Sequence, residues 1–190
     1  VRTHVALLRG INVGGRNKVA MADLRRVVAE LGHTEVTTYI QSGNVAFAAA
    51  GSATDSRQLA ADIQRAIADQ LAVRPGVVVA SRHELQQAVA ANPFASEPNP
   101  KAVHAVFLAE VPAAAGVAAV AAAVERARAK GSRDQAQVDG RTLYLWTPAG
   151  FGRSELAVEL NRGGARSTPA AAGTARNWAT VLALVQLLDG

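Results

Sequence analysis

The chain has 190 residues, 49% of them apolar, with 20 Lys and Arg against 15 Asp and Glu and no cysteine. That balance excludes a disordered chain, which is apolar-poor and highly charged, and it excludes disulfides, thiolate chemistry and Cys-ligated metals. The longest apolar run, Val117–Val124, is short and alanine-rich beside the ~20 residues of a membrane-crossing helix.

At ~150 residues per domain the length predicts one domain or two small halves. Only Val5-Ala6-Leu7-Leu8 are consecutively apolar near the first residue, too few for a signal-peptide core, so a cytoplasmic location is expected, with no membrane association. Arginine greatly outnumbers lysine and alanine makes up about a fifth of the chain, a skew typical of a GC-rich genome.

His4–Arg9 reads as a buried strand and Gly10–Lys18 as a polar, glycine-bearing loop. Leu24, Val27, Val28 and Leu31 follow helical spacing and end at Gly32. Val36–Ile40 and Val45–Ala48 flank a hairpin signal, Gln41-Ser42-Gly43-Asn44. Leu59, Ile63, Ile67 and Leu71 mark a second helix, and Gly76 opens the strand Val77–Ala80. The order β-α-β-β-α-β is the split βαβ, or ferredoxin-like, arrangement. Ser81 and Glu84 form a capping box for a short helix, Asn92-Pro93 ends it, and Ala95–Lys101 connects the halves.

Ala102–Leu108 is the next strand, and Pro112 starts an alanine-rich helix running to about Lys130. Gln135–Val138 and Thr142–Trp146 flank Asp139-Gly140, a strong hairpin signal, and a helix follows around Ser154–Leu160. No fourth strand is expected here: Gly163–Gly173 reads as a loop, and Thr174 as the cap of a last helix with Trp178, Val181, Leu182, Val185 and Leu188 on one stripe. The expected fold class is therefore α+β, with ferredoxin-like subdomains at residues 1–92 and 102–190, the second ending in a C-terminal helix.

In a split βαβ unit the loop after strand one and the turn between strands two and three lie at one end of the sheet. Here that end gathers Arg9, Asn12, Arg16, Asn17, Lys18, Tyr39, Gln41, Ser42 and Asn44. Residues 1–22 contain Arg2, Arg9, Arg16 and Lys18 and no acid, which suits a phosphate-bearing ligand near a helix N-terminus. The equivalent loops of the second half, Ala109–Pro112 and Asp139-Gly140, are short and each carries an acid. Arg176 and Asn177 open the last helix and are candidates to join the ligand site, within a stretch holding Arg162 and Arg166 but no acid between Glu159 and Asp189.

Gly10–Asn17 misses the P-loop pattern, since Arg16 and Asn17 replace its Lys and hydroxyl, and its glycine spacing is wrong for a dinucleotide fold. His4, His33, His83 and His104 have no metal-binding spacing, so no metal or cofactor is expected. Glu155 and Glu159 share a helix face followed by Arg162, the pattern of a solvated face. Gly152-Arg153-Ser154 lacks the last glycine of a nucleophile elbow.

Leu7-Leu8-Arg9-Gly10-Ile11-Asn12-Val13-Gly14-Gly15, Tyr39–Val45, Asn92-Pro93-Phe94 and Thr174-Ala175-Arg176-Asn177-Trp178 together closely resemble the bacterial domain-of-unknown-function family numbered 1697. The resemblance implies a small cytoplasmic α+β protein with ferredoxin-like subdomains and brings no established activity. Ser154-Glu155-Leu156 and Leu160-Asn161-Arg162 depart from the Ser-Lys-Leu and Leu-Glu-Lys usual at those places.

Three functions fit these residues. A non-catalytic binder of nucleic acid or a nucleotide would set Arg and Lys on phosphate and Asn12, Asn17, Gln41 and Asn44 on base or sugar. Four Phe, two Trp and two Tyr are too few, and Phe47 too isolated, for bases stacked across the sheet, so binding would use the loop edge. An enzyme on a small anionic substrate would use Arg9, Arg16, Lys18 or Arg176 to stabilise charge, with Tyr39 or Ser42 near the chemistry, yet neither loop offers a general base. A protein-interaction module would turn the same edge to an acidic partner.

Overall fold

Alternating or helically spaced apolar residues account for most of the elements in the computed structural model, which describes residues 1–51, 55–162 and 168–190. In the first half these are β1 (His4–Arg9), α1 (Met21–Glu30), β2 (Thr34–Tyr39), β3 (Asn44–Ala48), α2 (Ser56–Leu71), β4 (Gly76–Ser81) and α3 (Arg82–Ala90). The strands form one antiparallel sheet in the order β2-β3-β1-β4. Leu24, Val27 and Val28 of α1 and Leu59, Ile63 and Ile67 of α2 pack with Ala6, Leu8, Val45, Phe47, Val77 and Val79, which share one face of the sheet. The capping box is present: the Ser81 amide donates to Glu84 Oε2 at 2.8 Å and the Glu84 amide to Ser81 Oγ at 3.2 Å.

The second half comprises β5 (Val103–Phe107), α4 (Ala114–Ala129), β6 (Gln135–Asp139), β7 (Thr142–Trp146), α5 (Glu155–Asn161), α6 (Pro169–Ala172), β8 (Thr174–Asn177) and α7 (Trp178–Asp189). Its sheet is also antiparallel, in the order β6-β7-β5-β8. Val106, Leu108, Leu143 and Leu145 meet Val120, Ala123, Ala127, Leu156 and Leu160 in a second core. The chain is thus an α+β protein with two four-stranded antiparallel sheets and a C-terminal helix.

Five expectations are corrected. The second half has its fourth strand, because Thr174–Asn177 pairs with β5 from Phe107↔Thr174 to His104↔Asn177. Thr174 therefore lies in a strand; Asn177 caps the helix, its Oδ1 accepting from the Thr180 amide at 2.9 Å. The stretch read as a loop contains α6, while residues 163–167, Arg166 among them, lie outside the described residues. On α7 the buried stripe runs through Trp178, Val181, Leu184 and Leu188, and Leu182 is exposed. Glu159 is not on a solvated face. It is fully buried, accepts from Arg126 and Lys130 at 2.7 Å, and lies 3.4 Å from Arg162, so its pKa is held down to about 2, mainly by the hydrogen bonds from Lys130 and Arg126.

By backbone contacts the chain divides into Val1–Gln87 with Leu182–Gly190, and Ala88–Val181. In the first unit, Arg2 Nη1 donates to the Leu187 carbonyl at 3.0 Å and Arg82 Nη2 to the Arg2 carbonyl at 2.7 Å. In the second, Ser154 caps α5 and donates to buried Asp134 at 2.7 Å, and the Tyr144 hydroxyl donates to the Ala88 carbonyl at 2.8 Å. Among the described residues no helix is long and apolar enough to cross a membrane.

Candidate functional site

The edge of the first sheet is built by two loops that share hydrogen bonds. After β1 the chain leaves the sheet at Gly10, buries Ile11, and makes a small hairpin in which Val13 pairs with Arg16 around Gly14 and Gly15. Both glycines have positive φ, 57° and 75°, as a two-residue hairpin turn of the favoured twist requires. Val19 is buried again before α1 begins, so the loop is anchored in the core at both ends.

Asn12 fastens this loop to its neighbour. Its Nδ2 donates to the Val19 and Gln41 carbonyls, both at 3.0 Å, and its Oδ1 accepts from the Val19 amide at 2.9 Å. Asn12 and Asn17 hold the left-handed conformation, φ 54° and 48°, which a short amide side chain tolerates. Asn17 donates to the Gly10 carbonyl at 2.8 Å, and buried Asn44 donates to the Tyr39 carbonyl at 3.0 Å and to Ser42 Oγ at 2.9 Å. The β2–β3 turn docks on β1 through the Leu8 amide, which donates to the Gly43 carbonyl at 2.8 Å. A Cβ at Gly43 would stand 2.8 Å from Ile11 Cδ1 and from Leu8 Cβ, and its φ is 79°. The amides of Asn12, Asn17 and Asn44 thus build the edge.

Arg9, Arg16, Lys18, Gln41 and Ser42 are exposed on it and Tyr39 is half-buried. Arg74 reaches the same end, because Gly76 lies opposite Arg9 and Arg74 is an exposed residue two positions earlier. Sequence reading missed it by stopping at the β2–β3 turn; the antiparallel return of the last strand was the available signal. No side chain caps the N-terminus of α1, and Asp23 in its first turn lies 3.7 Å from Arg26.

The second unit repeats the docking bond without the elaboration. The Leu108 amide donates to the Arg141 carbonyl at 2.9 Å, and Arg141 Nε returns to the Leu108 carbonyl at 3.0 Å. Four residues then lead to the N-cap Ala113, and the exposed Glu110 and Asp139 bring negative charge. Arg176 and Asn177 belong to this unit. Arg176 sits opposite Ala105 in β8, donates to the Ala175 carbonyl at 2.8 Å, and burial pushes its pKa down to about 10. His104 lies opposite Asn177 and stacks on Phe151 at 4.3 Å, and burial pushes it down to about 4. Among the described residues no group of three or more His, Asp and Glu could hold a metal.

The profile of the family described as "Protein of unknown function (DUF1697)" matches residues 1–144. The chain belongs to the DUF1697 family. The match takes in the whole first-unit edge and stops short of Arg176 and Asn177. A solved structure, that of the conserved bacterial protein SP0830 from Streptococcus pneumoniae, covers 98% of this chain and 98% of its own at 23% identity, with a TM-score of 0.72. At that identity the likeness shows a shared fold. No curated protein matches the sequence. In this DUF1697 chain the first-unit edge is a braced platform of backbone and asparagine amides carrying Arg9, Arg16, Lys18 and Arg74.

Proposed function

We propose that both units are ferredoxin-like and that the protein is a non-catalytic binder of a phosphate-bearing ligand, nucleic acid or a nucleotide, held at the first-unit edge. The strand orders β2-β3-β1-β4 and β6-β7-β5-β8, with helices on one face of each sheet, support the first part. The second rests on one observation: the loop bearing Arg16 and Lys18 is clamped by Asn12 to the β2–β3 turn, whereas at the equivalent edge of the second unit Arg141 holds the turn to β5 and the exposed charges are acidic, Glu110 and Asp139. Cations on a preorganised loop lose less conformational freedom on binding than cations on a loose one. Arg9, Arg16, Lys18 and Arg74 would meet phosphate, with Gln41, Ser42 and Tyr39 supplying directional hydrogen bonds. Arg176 and Asn177 belong to the second unit and carry no part of this reading.

The test is binding of a labelled single-stranded oligonucleotide to the wild type and to Arg16→Ala with Lys18→Ala. Exposed side chains outside any core change stability by less than ~0.5 kcal/mol, so the double variant should melt like the wild type. Its affinity should fall at least about tenfold, the effect of ~1 kcal/mol or slightly less from each of two charge contacts. Unchanged affinity, or a variant that does not fold, contradicts the assignment.

A further inference from the structure

Two of the most exposed apolar side chains lie on this same edge. Val13 is 68% exposed and Ile40 53%, and of the large apolar residues left exposed among the described residues only these two fall on it. Asn12 precedes Val13 and Gln41 follows Ile40, so the 3.0 Å hydrogen bond from Asn12 Nδ2 to the Gln41 carbonyl joins the two loops one residue from each. Val13 is also the antiparallel partner of Arg16, and directly paired residues project to one side with Cβ atoms about 5 Å apart. An aliphatic surface and a guanidinium are therefore presented side by side.

Ile40 is disfavoured twice at its position. Its φ is 49°, the left-handed region where a β-branched residue is a genuine outlier, and its side chain gains little from the core. Gly or Asn would fit that backbone without strain. Neither folding nor solubility calls for an isoleucine there, and strained residues of this kind concentrate where ligands are gripped.

We infer that the edge grips a nucleotide unit at both ends, its phosphate on Arg16 and Lys18 and its base against Val13 and Ile40. This rests on the anion-binding reading above and deepens it by naming the apolar half of the ligand. Charge favours phosphate, and the exposed Val13 and Ile40 favour an apolar ring. A protein partner would need ~800 Å² on each side with an aromatic-rich centre, and this edge has two aliphatic side chains.

The experiment compares three probes by fluorescence anisotropy: a labelled oligothymidylate, an abasic oligodeoxyribose phosphate of equal length, and thymidine 5′-monophosphate as competitor. The wild type should bind the base-bearing strand about tenfold more tightly than the abasic one, the effect of burying a side chain of this size. Val13→Ser and Ile40→Asn should each reduce that discrimination by about threefold or more and leave abasic affinity unchanged, since each deletes part of the apolar contact. Ile40→Asn relieves the backbone, so it should fold at least as well as the wild type. Displacement of the strand by the monophosphate would identify a free nucleotide as the ligand, and failure to displace it a strand; both support the inference. Equal affinity for base-bearing and abasic strands overturns it and leaves the anion-binding reading standing. Binding of neither strand overturns both, and capture of polyglutamate instead would point to an acidic protein.

Discussion

Replacing Asn12 by alanine should destabilise the first unit more than any substitution of an exposed residue on the same edge. The side chain makes three hydrogen bonds, to the Val19 carbonyl and amide and to the Gln41 carbonyl, at 2.9–3.0 Å. Because the site is partly open to water, each contributes ~0.5–1 kcal/mol, or roughly 2 kcal/mol together. Alanine also meets the positive φ of 54°, which costs a Cβ-bearing residue ~1 kcal/mol or more. Asn12→Ala should therefore lose about 3 kcal/mol. Asn12→Gly loses the same bonds without the conformational penalty and should lose about 2 kcal/mol. The assay is urea unfolding by far-UV circular dichroism, because Trp146 and Trp178 both lie in the second unit and their fluorescence reports on that one. A loss below ~0.5 kcal/mol for Asn12→Ala would refute the clamp. A glycine variant no more stable than the alanine one would refute the role given to the left-handed conformation.

Glu159 has a folded pKa of about 2, below its ordinary 4.5, so the stability it contributes is complete above pH 4.5 and lost as pH falls towards 2. Glu159→Gln should lower the urea midpoint at pH 7 and flatten its dependence on pH between about 4.5 and 2. His104 is displaced downward from 6.5 to about 4 by burial, so between those values the unfolded chain binds a proton that the native chain does not, and stability falls as pH drops through that window. In an NMR titration its ring protons should stay unshifted until below about pH 5, and His104→Phe should remove that part of the slope. Gly43→Ala should cost at least 2 kcal/mol, roughly, from left-handed strain together with overpacking against Ile11 and Leu8, measured by the same urea assay.

The elements that the sequence made legible are those whose apolar spacing is strong. Leu24, Val27 and Val28, or Leu59, Ile63 and Ile67, repeat at helical intervals and are buried as that spacing requires. β8 escaped because Thr174-Ala175-Arg176-Asn177 is a four-residue edge strand with one aliphatic side chain, so its pairing with β5 comes from backbone hydrogen bonds that leave no pattern. The β-α-β-β-α-β order of the first half was the remaining clue. On α7 the helix is apolar nearly all round, so spacing alone did not decide between Leu182 and Leu184. Glu159 looked solvated because its partners Arg126 and Lys130 come from a helix about thirty residues earlier.

The candidate edge was legible from topology, which places the β1–α1 loop beside the β2–β3 turn, and the hydrogen bond from Asn12 to Gln41 is the physical form of that adjacency. What each residue does there was not legible. An exposed asparagine and one folded back on the backbone look alike in sequence, and so do a buried isoleucine and one standing out at positive φ. Ile11 is buried, while Val13 and Ile40 are exposed.

The dependence of single-strand affinity on salt tests the proposed function most directly. With Arg9, Arg16, Lys18 and Arg74 neutralising about four phosphates, affinity for a single-stranded oligonucleotide should fall roughly 50-fold between ~50 and ~200 mM salt. In Arg16→Ala with Lys18→Ala about two phosphates remain neutralised, and the fall should shrink to roughly 7-fold. An unchanged slope in that variant, or no binding by the wild type at ~50 mM salt, would contradict the account.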